Sequence, residues 1–377
     1  MDFFDRIKIM KNKSRTIVII CVLILLIIFF QFPISFGISN TNEDYSHILK
    51  DVYDSNNGFG EVQVSQIAML GSHDALADGI CYSSKPDTTR QKVKHDNYAA
   101  NPLINIFAKG LIVRMSKAQS QNAYEQLKAG VRFIDVRISD IDGEFYNCHG
   151  VVSDRFENNL LLILKFLDEN PGEFIIFSIL YYYQDTKSWD EMCDYMKSIE
   201  YNGHNIFDYV NYDIKNEDLS TLTYNDVTCG STKSGVAFIA YDYDGSRYKD
   251  YFKLDKVLNG NCKVANYKKI DKVIDKIVEN SKNFDDSYLK VNQTQITPDS
   301  DGILSVLVNW SLLNISDKHN SHVIKEENYE EWIKCMPIYL TDNSTSNIGN
   351  FNHVINECII KHNLEMASEY KGVQYEQ

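Results

Sequence analysis

Four short polar clusters carry residue types suited to proton transfer: Gly71-Ser72-His73-Asp74, Asp135-Val136-Arg137, Cys148-His149-Gly150 and Thr341-Asp342. An imidazole of ordinary pKa gives or takes a proton near neutral pH, and a carboxylate beside it fixes its tautomer and stabilises its charged form. A guanidinium adds a fixed positive charge with a planar set of donors for oxyanions. Taken singly, each cluster is weak. A lone His-Asp is ordinarily a loop or cap feature and a lone Cys-His is ordinarily structural. Cys148 reads as a small buried hydrophobe, and Asp135 as an orienting group in a hydrogen-bond network. The eight cysteines include no Cys-x-x-Cys pair, so neither a zinc knuckle nor a redox motif is indicated.

Each cluster follows or interrupts an apolar run, and these runs are the elements that must position it. Residues 67–70, 132–138, 174–180, 236–241, 304–308 and 337–340 read as strands, mostly continuous and apolar, as in a parallel sheet buried on both faces. Amphipathic helices lie between them. Ser120 precedes a helix through Tyr124 and Leu127, with Gly130 at its end. Asp154 is placed to cap a helix through Leu160, Leu161, Leu164 and Leu167, which Asn170-Pro171 stops. Ile270, Val273, Ile274, Ile277 and Val278 form one apolar stripe. Strands alternating with helices over this length predict an α/β fold, a single TIM-type barrel, regular or distorted. In such a barrel the carboxyl ends of the strands form one rim, where two imidazoles, a guanidinium and several carboxylates would converge.

The ordered series resembles a known family. Gly71-Ser72-His73-Asp74, the run Tyr124 to Arg137, Asp142-Gly143-Glu144-Phe145-Tyr146-Asn147-Cys148-His149-Gly150 and the run Phe166 to Glu173 are similar to the X region of phosphatidylinositol-specific phospholipases C. Val306 to Trp310 and Ile338 to Asp342 resemble the last barrel strands of the compact, single-domain, metal-independent members. The resemblance implies cleavage of a phosphodiester by a vicinal hydroxyl, an intramolecular attack that avoids the entropy cost of recruiting water. It implies His73 as general base for the inositol 2-hydroxyl, oriented by Asp342. His149 would be general acid for the diacylglycerol oxygen, with Asp74 behind it, and Arg137 would bind the phosphoryl oxygens. Calcium-dependent members place two carboxylates two residues apart on this strand. Here Arg137 stands in the second place beside Asp135, so no metal or other cofactor is expected. Compact bacterial members hold the inositol ring with a lysine just beyond the strand matching 175–180, whereas Leu180 is followed here by three tyrosines. Head-group choice is thus left open, with Asp242, Asp244 and Arg247 as further possible contacts. Tyr181 to Tyr183 with Trp189 could press on an interface or line the pocket.

The N-terminus suggests where such a domain would work. Arg6, Lys8, Lys11, Lys13 and Arg15 precede fourteen consecutive apolar residues, Ile17 to Phe30, and no charge falls between Thr16 and Asn42. This predicts a cytosolic leader over 1–15 and a signal anchor over 16–36, or a cleaved signal peptide ending near Ser35-Phe36-Gly37. The catalytic body would then be lumenal or extracellular, or secreted. Sequons at Asn292, Asn309, Asn314 and Asn343 agree with that compartment. Residues 37–60 read as a linker, 61–366 as the barrel and 367–377 as a tail. A net charge of -14 argues against a broad nucleic-acid surface. The expected partners are a phospholipid substrate at a membrane surface and, for the chain's own helix, the bilayer. The alternatives are a phosphodiesterase for another phospholipid and an inactive head-group-binding ectodomain.

Overall fold

The structure is a computed structural model that describes residues 16–22, 24, 37–87, 89, 102–182, 187–215, 218–241, 243, 245–253, 256–261, 270–296, 310–325 and 328–373. The strands are β1 (Met69–Ser72), β2 (Val131–Ile141), β3 (Glu144–Cys148), β4 (Val152–Arg155), β5 (Phe174–Tyr182), β6 (Gly235–Ala240), β7 (Val257–Asn261), β8 (Leu289–Gln293) and β9 (Ile338–Thr341). The helices are α1 (Ile48–Ser55), α2 (Pro102–Ser116), α3 (Ala123–Lys128), α4 (Phe156–Glu169), α5 (Trp189–Ser198), α6 (Tyr224–Thr228), α7 (Ile270–Ser281), α8 (Leu312–Val323), α9 (Tyr329–Cys335) and α10 (Phe351–Val373).

Among the described residues the parallel strands run in the order β6-β5-β2-β1-β9-β8-β7, a curled half-barrel sheet in an α/β fold. Phe252 bridges back to Phe238 of β6 in parallel sense. The strand expected over 304–308 lies outside the described residues. In β5, Phe174, Ile175, Ile176 and Phe177 are all fully buried, as a strand covered on both faces requires. β2 is long because it serves two partners. Phe133 to Ser139 pair with β5, while Ile138 to Ile141 pair antiparallel with β3, so that β2 and β3 form a hairpin at the carboxyl end of β2. His149 follows that hairpin strand directly.

Several local expectations are corrected. The cap of α3 is Asn122, whose side chain accepts from the Glu125 N–H, while the Ser120 hydroxyl faces Asn40 and Asn343. Asp154 lies inside β4 and does not cap α4, whose N-cap residue Arg155 makes no capping hydrogen bond. Gly130 does follow α3, at φ 95°, where a Cβ would collide with Asn356. The segment 37–60 is no free linker, since Ile48, Leu49 and Val52 of α1 are buried in the main core. Its dock is polar and specific. Buried Arg132 pairs with Glu173 at 2.6 Å and donates to the carbonyls of Tyr45 and Ser46, and Glu173 accepts from the N–H groups of Leu49 and Lys50. At the other end, α10 runs on through 367–373, which had read as tail.

The leader 1–15 lies outside the described residues, and the expected span 16–36 is described only at 16–22 and 24, which are helical and exposed. Among the described residues no helix is long and apolar enough to cross a membrane. Asn292 and Asn343 are fully buried and offer no surface to a glycan in the folded chain; Asn314 is half-buried, and Asn309 lies outside the described residues.

Candidate active site

The carboxyl ends of β1, β2 and β9 and the turn after β3 bring His73, Asp74, Asp135, Arg137, His149 and Asp342 together. Asp135 and Arg137 are two apart on β2 and share one face, as strand periodicity dictates. β1 and β9 are in register from Met69 opposite Ile338 to Ser72 opposite Thr341, which sets His73 against Asp342 just past the strand ends. His73 Nδ1 lies 2.8 Å from Asp342 Oδ1 and 3.4 Å from Asp74 Oδ2. Asp74 takes a left-handed backbone, φ 46°, which turns its carboxylate back between the two imidazoles. Its Oδ2 is 3.2 Å from His149 Nε2 and its Oδ1 is 2.6 Å from Arg137 Nε. The two imidazole rings meet edge to face at 6.3 Å.

Arg137 sits at the centre. Its Nη2 lies 2.8 Å from His73 Nε2 and 3.2 Å from Asp135 Oδ2. Asp135 Oδ2 also accepts from the Asp74 N–H, and its carbonyl from the Ala75 N–H, so Asp135 braces the turn that carries Asp74. His73, Asp74 and Asp135 could offer ligand atoms within 4.8 Å of one another to a cation. Every one of the three, however, already faces the Arg137 guanidinium, whose charge occupies that position.

Hydrogen-bond partners and the surrounding field pull the ring protons in opposite directions, the partners toward neutral His73 and charged His149, the field toward charged His73 and neutral His149. His73 Nε2 faces a guanidinium donor, which a neutral ring accepts, leaving Nδ1–H for Asp342. His149 has an acceptor at each nitrogen, the Ser116 carbonyl at 2.8 Å from Nδ1 and Asp74 at Nε2, a set that an imidazolium satisfies. The surrounding field acts on the pair together. Burial lowers both rings, but on His73 Asp74 and Asp342 outweigh burial and Arg137, raising its pKa to about 9. On His149 burial, with Arg137 and His73, prevails over Asp74 and lowers it. Burial likewise raises Asp342, against the pull of His73.

No protein-family model matches the chain. It is similar to PI-PLC X domain-containing protein 2 of Mus musculus, 30% identical over 128 residues that cover 32% of this chain and 36% of that protein. Its fold is similar to phosphatidylinositol-specific phospholipase C from Listeria monocytogenes, with a TM-score of 0.51 at 18% identity, covering 80% of this chain and 95% of the other. The corresponding Staphylococcus aureus enzyme gives 0.54 at 16% identity, covering 80% and 94%. Over that stretch the chain is similar to PI-PLC X domains, and its fold is that of the bacterial phosphatidylinositol-specific phospholipases C. The matched stretch spans little more than a third of the curated relative's length.

Ser178 and Leu180 of β5 pair with Asp135 and Arg137 across the sheet. The Tyr241 hydroxyl accepts from the Asn259 amide, Asn259 Oδ1 from Gln293, and Gln293 Oε1 from Gln295, a string across β7 and β8. Arg247 is committed elsewhere, to exposed Asp194, and Asp242 and Asp244 lie outside the described residues. Tyr181 is buried against Trp189 and belongs to the core. Sequence reasoning missed Ser116, Gln119 and the amide string, because amides and backbone carbonyls carry no titratable signature.

Proposed function

We propose that this chain is a metal-independent phosphodiesterase of the phosphatidylinositol-specific phospholipase C type, built as a single TIM-type barrel. It would cleave phosphatidylinositol or its glycosylated anchors to a cyclic inositol phosphate and a diacylglycerol. The observation that carries this reading is Asp74 lying between the two imidazoles, with Arg137 against both Asp74 and His73.

In the proposed reaction, the substrate phosphate takes the guanidinium's outward donors, freeing His73 Nε2. That nitrogen removes the proton of the inositol 2-hydroxyl as its oxygen forms the new bond to phosphorus. The bond from phosphorus to the glycerol oxygen breaks, and this oxygen receives the proton of His149 Nε2. Asp342 holds Nδ1–H of His73 throughout and stabilises the imidazolium it becomes. Asp74 favours the charged form of His149, against the burial that lowers its pKa, and so stabilises the ring in the minor state that donates the proton. Arg137 supplies the charge stabilisation that a cation would otherwise provide. We further propose that 16–36 anchors this domain to the membrane, with secretion after cleavage as the alternative.

The test is to incubate the chain from residue 38 onward with a panel of phospholipids and follow phosphorus spectra for a cyclic phosphate. His73→Ala and His149→Ala should each abolish that signal; equal activity in either variant would remove the mechanism. Turnover should survive chelator, and a loss restored by calcium would overturn the metal-independent reading.

A further inference from the structure

The last residue of α2 and the six-residue link that follows it, 117–122, touch both halves of the proposed catalytic arrangement, although none of their side chains takes part in the proposed chemistry. At the end of α2, the Ser116 carbonyl accepts from His149 Nδ1 at 2.8 Å. Three residues on, Gln119 is fully buried. Its Nε2 donates to the carbonyls of His73 at 2.8 Å and Thr341 at 3.2 Å, and its Oε1 accepts from Ser344 N–H at 3.1 Å and Ser344 Oγ at 3.3 Å. Both donors and both lone pairs of the amide are therefore in use, which holds it in one orientation. The carbonyls it clamps belong to the ends of β1 and β9, the pair of strands that present His73 and Asp342 to each other. The same link is stitched again to the chain beyond β9, where the Ala118 carbonyl accepts from the Asn343 N–H at 2.9 Å.

We infer that Gln119 is a positioning residue, setting the approach of His73 Nδ1 to Asp342 and, through the short link to Ser116, the seat of His149 against Asp74. This rests on the reading of His73 and His149 as base and acid, and it is separable from that reading because His73 can be observed without substrate. In place of Gln119, a neutral-pH carboxylate would point oxygens at two carbonyl oxygens and hold no donor; on taking a proton it regains one.

The experiment compares full-length wild type, Gln119→Glu and Ser344→Ala. Imidazole nitrogen NMR follows the titration of His73, which is faced by Asp74, Asp135, Arg137, His149 and Asp342. For Gln119→Glu the His73 midpoint should fall, since the Asp342 contact loosens, and the downfield Nδ1 proton signal should weaken. Turnover at neutral pH should drop about 100-fold, the scale of an approximately 1 Å misplacement, chiefly in kcat, and the ratio to wild type should recover on acidification. Ser344→Ala keeps the N–H donor and should show the same changes at smaller amplitude; it carries the test if the first variant does not fold. A folded Gln119→Glu or Ser344→Ala chain with an unchanged His73 titration and a pH profile parallel to wild type would overturn the role. A shifted His73 titration in a chain whose wild type turns over no inositol lipid would support the positioning and remove the proposed chemistry instead.

Discussion

His73 and His149 cannot titrate independently, because Asp74 lies within 3.4 Å of one and 3.2 Å of the other. Under the proposed function the reactive state carries one proton over the pair, and its apparent values belong to both rings. With His73 raised to about 9 and His149 lowered, kcat/KM should trace a bell. The alkaline limb should fall near 9, where the last proton leaves, and the acid limb below the ordinary histidine value, where a second proton enters. A rate that climbs steadily above pH 9 would contradict the shared-proton site. The same shift bears on stability. A raised folded value makes His73 stabilising below its unfolded value near 6.5, and that contribution is lost as pH rises through about 9. The unfolding midpoint of wild type should therefore decline over this window relative to His73→Ala. Asp342→Asn keeps the shape but loses the charge, and should lower kcat by about 100- to 10,000-fold with little change in KM, measured by steady-state kinetics.

At the scale of elements, the Arg132–Glu173 pair ties α1 to the sheet. Both side chains are fully buried, and together they satisfy two carbonyls and two N–H groups of the 45–50 segment. Replacing Arg132 by Met strands the Glu173 charge, and should cost about 3–5 kcal/mol in urea unfolding, whereas Arg132→Met with Glu173→Leu should recover part of the loss. A single-variant loss under about 1 kcal/mol would show that the pair does not anchor α1. Sequence alone read 37–60 as a linker because its Asn, Ser and Gly content matches one. The signal that α1 docks is the partner Arg132, 87 residues from Tyr45, and no local pattern reveals it. Strands β1, β5, β6 and β9 were legible because their apolar runs are continuous or nearly so, and β2 because apolar residues recur along Val131–Ile141 between its charged ones. β7 and β8 were not, since Val257-Leu-Asn-Gly-Asn and Leu289-Lys-Val-Asn-Gln mix amides with few apolar residues. The groups that converge at the candidate site were legible through the ordered motifs around them. The clamp at Gln119 was not, since its meaning comes only from where β1 and β9 end.

For the whole molecule, charge and attachment work against each other in an informative way. The chain carries a net charge of -14, and its first fifteen residues hold five basic and two acidic side chains, so the folded body is more acidic than the total. Phosphatidylinositol vesicles are also anionic. A body without its leader should be repelled from them over roughly 30 Å at about 0.01 M salt and only about 8 Å at physiological ionic strength. Under the proposed function, turnover by the chain from residue 38 onward should therefore rise several-fold as salt increases over that range, read as initial rates on vesicles of fixed composition. The full chain reconstituted into the same vesicles through 16–36 should show little salt dependence, since the tether and not the surface potential then sets the local concentration. A truncated chain whose rate falls with added salt would instead carry a basic face strong enough to outweigh its net charge, and tethering would lose its physical rationale.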